Sequence, residues 1–183
     1  MCIRDSVNAS HPHVLRPFYK IWDREIWAGD HNIPVRIFAP DVKGPHPVLL
    51  FFHGGGWVTE SVDSYHHVCQ ALATQLGSKV VSVEYSLAPE NRFPVGAEDC
   101  FAAAVGIFER VYQMGHLPED IVLVGDSAGG NLAAVVSLMG RDRGVFQVKR
   151  QILLYPATYN DHSPETSPFE SIRENGQDYI LTS

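Results

Sequence analysis

The sequence predicts an α/β fold: a mostly parallel sheet flanked by helices. Three observations carry this expectation. Short apolar runs recur along the chain, and most are followed by segments with apolar residues at helical spacing. The runs are continuous rather than alternating, as expected of strands buried on both faces. Two of them end directly in glycine-rich turns, His53-Gly54-Gly55-Gly56-Trp57 and Gly125-Asp126-Ser127-Ala128-Gly129.

Taken in order, 23–28 and 35–39 read as two strands, with Gly29-Asp30-His31-Asn32 as the turn of a hairpin on the edge of the sheet. Residues 41–47 form a Pro/Gly loop, and Val48 to Phe52 is a buried strand leading into His53. Tyr65, Val68, Cys69, Leu72 and Leu76 fall at helical spacing, with Gly77 as a stop. Residues 79–85 are apolar and rich in valine, hence a strand. Phe101, Ala104, Val105, Phe108 and Tyr112 mark a second helix. Residues 121–124 form the strand before Ser127, residues 128 to about 139 a third helix, and 151–155 the next strand, ended by Pro156.

The chain has 183 residues, enough for one domain with a sizeable core. Residues 18–183 are expected to form it, and 1–17 to be poorly defined. The first six, Met1-Cys2-Ile3-Arg4-Asp5-Ser6, read equally as a translated adapter remnant or a frayed natural terminus. Net charge is −7 with no basic run, which argues against a nucleic-acid surface. No apolar run approaches the ~18 residues of a membrane span. The 3 cysteines, Cys2, Cys69 and Cys100, suit neither a disulfide framework nor a zinc site, and no secretory leader is visible, so a reduced cytoplasmic setting is expected. Asn8-Ala9-Ser10 matches a glycosylation acceptor and is read as coincidence. His66-His67 suggests no metal, because adjacent residues on a helix point in different directions. No cofactor is expected. Oligomeric state is not legible.

Strand, Gly-x-Ser-x-Gly, helix is the layout of a nucleophile elbow. So sharp a turn strains the serine and leaves no room for side chains two residues away, hence Gly125 and Gly129. The strain lifts the Ser127 hydroxyl clear of the sheet. The His53 turn supplies what attack by that hydroxyl requires. An ester carbonyl becomes an oxyanion, which backbone N–H groups can hold if glycines let the main chain approach. A histidine followed by three glycines arises by chance in only about 0.1% of chains this long. Parallel sheets place their sites at the C-terminal ends of strands, so residues 53–57 and Ser127 should meet there.

Three blocks, HGGGW at 53–57, EYSLAPENRFP at 84–94 and GDSAGGN at 125–131, carry a resemblance to the hormone-sensitive-lipase-like branch of the α/β-hydrolases, from about Phe18 onward. Glu84 and Ser86 stand where that branch usually has Asp and Arg. The resemblance implies a carboxylic-ester hydrolase acting on a small-molecule ester through an acyl-enzyme. Ser127 is then the nucleophile, and Gly55, Gly56 and Ala128 are the oxyanion donors. Two other readings stay open: a small-ligand-binding protein of the same fold that does no catalysis, and an amidase.

A serine nucleophile also needs a base and an acid, and this fold orders them Ser, acid, His. The only histidine after Ser127 is His162. It reads as an exposed loop residue rather than as a base partnered by Asp142. The acid and histidine of the family are expected beyond Ser183. The 183 residues alone are therefore expected to be close to inactive.

Overall fold

The computed structural model describes residues 20–40, 46–159, 161, 163 and 165–175. Strand β1 (Lys20–Trp27) turns back into β2 (Asn32–Ala39). Then come β3 (Val48–Phe52), α1 (His66–Leu76), β4 (Lys79–Val83) and α2 (Val95–Arg110). A 3₁₀ turn (Pro118–Asp120) leads into β5 (Ile121–Asp126), followed by α3 (Ala128–Asp142), β6 (Arg150–Leu154) and a short α4 (Glu170–Asn175).

The strands form one sheet in the order β1-β2-β4-β3-β5-β6. β1, β2 and β4 pair antiparallel in sequence, while β4, β3, β5 and β6 run parallel. The central strands are apolar throughout because both of their faces are covered. Val48, Leu50 and Phe52 join one buried cluster with Cys100, Ala104, Ile107, Leu132 and Val136, from α2 and α3. Leu49 and Phe51 point the other way, into a cluster with Cys69 and Ala73 of α1. Period-two alternation thus survives as a choice between two cores rather than between core and water. α1 stops at Gly77, whose φ of 58° is a left-handed cap that glycine adopts without penalty.

Several boundaries differ from the expected ones. The hairpin strands begin three residues earlier, at Lys20 and Asn32, because backbone pairing of Lys20 with Ala39 and of Asn32 with Trp27 carries the ladder past the residues that the sequence marks. β4 ends at Val83, and Tyr85 turns off the sheet to stack its ring on His53 at 4.4 Å. α2 starts at Val95, directly after Pro94, and ends at Arg110, short of Tyr112. α3 runs on to Asp142. β6 spans 150–154, and Tyr155 leaves it with φ 36°. The sequence signs of the 3₁₀ turn and α4 are too short to separate from loop. The expectations for residues 1–17 and Phe18, part of the 41–47 loop, and His162 lie outside the described residues.

The β1–β2 turn is tied to the body through His31. Its Nε2 lies 2.9 Å from Asp99 Oδ1, and its Nδ1 lies 2.6 Å from Asp30 Oδ1. The second oxygen of the buried Asp99 accepts the Ser86 N–H at 2.9 Å. With carboxylates at both ring nitrogens, only the imidazolium can donate to both. The hydrogen bond it donates to Asp30, then that to Asp99, raises the His31 pKa. A raised folded-state value means stability fully present below the unfolded histidine pKa of about 6.5 and lost as pH rises through the folded value. The ring is half-exposed, so the effect is small. The Tm gap between wild type and His31→Gln should narrow from pH 6 to pH 9. A gap that does not vary with pH would argue against this pairing.

Candidate active site

The β3–β5 register pairs Phe52 with Gly125. The residues that follow each strand therefore leave the sheet side by side, and His53-Gly54 meets Asp126-Ser127 across 72 or more positions of sequence. The contact is close: a Cβ added at Gly129 would strike the carbonyl oxygens of Phe52 and His53.

Ser127 forms the hinge between β5 and α3, with φ 51° and ψ −116°, a region rarely occupied by non-glycine residues. Three backbone bonds hold it there. Its N–H donates to Leu154 O at 2.9 Å, and its carbonyl accepts from Asn131 N at 3.1 Å and Ala157 N at 3.2 Å. A Cβ on Gly125 would overlap the Gly129 backbone. The turn thus closes as tightly as the motif implies. Ala128 opens α3. Its N–H is among those a helix leaves without an intrahelical acceptor, and it lies at the positive end of the helix dipole.

The facing loop is built from left-handed backbone: Gly55 at φ 108°, Gly56 at 61°, Trp57 at 60° and Glu60 at 72°. Gly55 O accepts from Val58 N, Thr59 N and Thr59 Oγ1 at 2.9–3.1 Å, which curls the loop. Among the described residues, no acceptor takes the N–H of Gly55, Gly56 or Ala128. His53 is buried and is a scaffold group rather than a base. Its Nδ1–H donates to Gly54 O at 2.7 Å, and burial lowers its pKa to about 4, so it is neutral near pH 7. Tyr85 OH donates to His53 O at 2.7 Å.

Gly54 and Asp126 interlock. The Gly54 N–H donates to Asp126 Oδ1 at 3.2 Å, and Tyr65 OH donates to Oδ2 at 2.6 Å. A Cβ on Gly54 would lie 2.5 Å from that carboxylate. Burial raises the Asp126 pKa, against the two hydrogen bonds that lower it. Tyr65 is the functional residue that periodicity hides. Its position marks it as part of the apolar face of α1, whereas its hydroxyl is bound to the elbow. The available signal is that a tyrosine on a buried face needs a partner for its O–H.

A cavity of about 650 Å³ opens beside Gly56, walled by Trp57, Phe93, Leu132, Val135 and Tyr159. Its volume and apolar lining are in the range of small-molecule sites. The 84–94 block supplies much of one wall. At its two departures from the usual family residues, the Glu84 carboxylate accepts the Val62 N–H at 2.6 Å and the Ser86 backbone N–H donates to Asp99.

Asp142 does not belong to this site. It sits at the far end of α3, about 20 Å along the helix from Ser127, exposed and paired with Arg141 at 2.7 Å. Spacing along a sequence does not show that the helix carries it away from the sheet end. His162 lies outside the described residues. Among the described residues no group of three or more His, Cys, Asp or Glu could hold a metal ion, and no helix is long and apolar enough to cross a membrane.

Comparison with known proteins agrees with this geometry. Residues 49–183 match the family model described as the alpha/beta hydrolase fold. The chain is 39% identical over 172 residues to carboxylesterase NlhH of Mycobacterium tuberculosis, covering 93% of this chain and 52% of that protein. It is 34% identical over 139 residues to an arylesterase of Saccharolobus solfataricus, covering 76% and 45%. A solved esterase from Pyrobaculum calidifontis superposes with a TM-score of 0.86 at 36% identity, covering 99% of this chain and 60% of that one. The chain belongs to the α/β-hydrolase fold family, in its hormone-sensitive-lipase-like branch. It spans about half the length of the curated relatives it matches.

Proposed function

We propose that the protein is a carboxylic-ester hydrolase with Ser127 as its nucleophile. One observation carries the reading: a strained serine at a strand–helix hinge faces a loop whose Gly55 and Gly56 N–H groups have no acceptor among the described residues. Ser127 Oγ attacks the ester carbonyl while a base takes its proton. The oxyanion is held by the N–H groups of Gly55, Gly56 and Ala128. Collapse expels the alcohol, which takes the proton, and water then releases the acid from Ser127. The base and its acid come from outside the described residues. The relatives' names support an ester substrate, and the apolar cavity beside Gly56 suits its hydrocarbon part. Residues 18–183 are read as part of one domain that carries this machinery. A reduced, cytoplasmic setting fits Cys69 and Cys100, both free and buried.

The test uses the full-length protein. It should hydrolyse p-nitrophenyl butyrate, and a fluorophosphonate probe should label Ser127 and no other serine. A cleaved anilide but an intact ester would favour the amidase reading. Tight binding of an ester without turnover or labelling would favour the ligand-binding one.

A further inference from the structure

The connection between β3 and α1 is an unusual piece of backbone. Four of its residues sit at positive φ, and two of them, Trp57 and Glu60, are not glycine. Such conformations persist only where surrounding structure fixes them. The internal bonds to Gly55 O shape the curl but do not fix where it sits relative to Ser127. That position depends on links to other elements. Among these are the Ala88 N–H bonded to Trp57 O at 2.9 Å, the Val62 N–H bonded to Glu84 at 2.6 Å and the Tyr85 OH bonded to His53 O at 2.7 Å. Two more converge on a single carboxylate. Gly54, at the start of the connection, and Tyr65, at its end, each donate to one oxygen of Asp126. Asp126 is the residue immediately before Ser127.

Resting on the ester-hydrolase reading above, we propose that Asp126 and Tyr65 form a positioning clamp that sets the Gly55–Gly56 loop at the distance from Ser127 that the oxyanion requires. Neither residue touches the substrate. The clamp spans the connection at both ends, so loosening either end lets the donor groups drift. Positioning of this kind must hold to within about 0.5 Å to be effective. Tyr65 OH donates to Asp126, its oxygen also lies beside the Gly54 backbone, and Asp126 keeps Gly54 in register only while it remains an acceptor. The two residues should therefore act as one unit.

The experiment is steady-state kinetics on the full-length protein with Tyr65→Phe, Asp126→Asn, Asp126→Ala and the Tyr65→Phe/Asp126→Ala double variant. Active enzyme is counted by fluorophosphonate labelling, so that misfolded protein is not scored as slow. Tyr65→Phe removes one oxygen without changing shape. It should lower kcat about tenfold with KM little changed, because the oxyanion exists only in the transition state. Asp126→Ala should lower kcat further. Asp126→Asn should recover part of that loss, since its amide oxygen can still accept from Gly54. The double variant should be no slower than Asp126→Ala alone. A Tyr65→Phe kcat within twofold of wild type, or a double variant showing the product of the two single losses, overturns the clamp. Should Asp126→Ala fail to fold, Tyr65→Phe and Asp126→Asn still decide. Ser127→Ala, counted by total folded protein because it has no serine to label, separates the two claims. If it stays active the ester-hydrolase reading itself fails; if it is dead while Tyr65→Phe is normal, only the clamp fails.

Discussion

Replacing Ser127 by alanine should lower kcat by about 10⁶-fold while leaving the fold intact. The size of the loss follows from how serine hydrolases work: nucleophile and base act as a unit, and removing the nucleophile alone costs nearly as much as removing the whole triad. Oxyanion donors and substrate binding survive, so a residue of about 10³-fold over the uncatalysed rate remains. The fold should persist because the hinge is held by main-chain atoms. Ser127 N–H to Leu154 O, and Ser127 O from Asn131 and Ala157, are all available to alanine. Alanine has the same Cβ, so φ 51° is no worse for it than for serine. The checks are a Tm close to wild type, full-length turnover of p-nitrophenyl butyrate, and loss of fluorophosphonate labelling. Near-normal turnover, or labelling at another serine, would overturn the assignment.

The two loop glycines should respond unequally, and the difference comes from what surrounds them. A Cβ at Gly55 would enter the Thr59 carbonyl and lie 2.8 Å from Glu60 Cγ, on a backbone already at φ 108°. Something must move, and what moves is the loop carrying the donors. Gly55→Ala should therefore lower kcat by about 10²–10³, the cost of a lost oxyanion donor. A Cβ at Gly56 meets nothing within 4 Å. Its constraint is φ 61° alone, which costs an alanine roughly 1–2 kcal/mol of stability without displacing the loop. Gly56→Ala should lose about tenfold or less in kcat. KM should change less than kcat in both variants. Equal losses from the two substitutions would show that the loop is not positioned by the contact at Thr59.

The sheet's central strands were legible because burial on both faces makes them apolar from end to end. Val48–Phe52 reads from sequence with its observed bounds for that reason. The hairpin ends were not legible. Lys20 and Asn32 are strand by virtue of backbone pairing with Ala39 and Trp27, and pairing leaves no mark on side-chain polarity. The elbow was legible down to its steric cause, since glycine at 125 and 129 is demanded by the turn itself. The link from Asp126 to Tyr65 was not, because it joins a motif to a helix 61 positions away. Spacing that makes sense along a line, such as Asp142 after Ser127, fails once a helix runs away from the sheet end. Glu84 and Ser86 depart from the family pattern, and here the Glu84 carboxylate accepts from Val62 N–H while the Ser86 backbone N–H donates to Asp99.

The two outer strands of the sheet have opposite characters. β1 interleaves Lys20, Asp23, Arg24 and Glu25 along its free edge. Charges of this kind discourage docking by another strand. β6 is Arg150-Gln151-Ile152-Leu153-Leu154, with Ile152 44% and Leu154 42% exposed, and Tyr155 beyond it more so. The sheet is thus a one-way template: blocked by its own charges at the hairpin side, and receptive at β6, whose inner edge receives the Ser127 N–H at Leu154. A strand that added there would be separated from the Ser127 hinge by β6 alone. Recruitment at that rim and the setting of the serine are therefore one mechanical problem, and a crowding or mispairing event at β6 would be felt first as a mis-set elbow rather than as a damaged core.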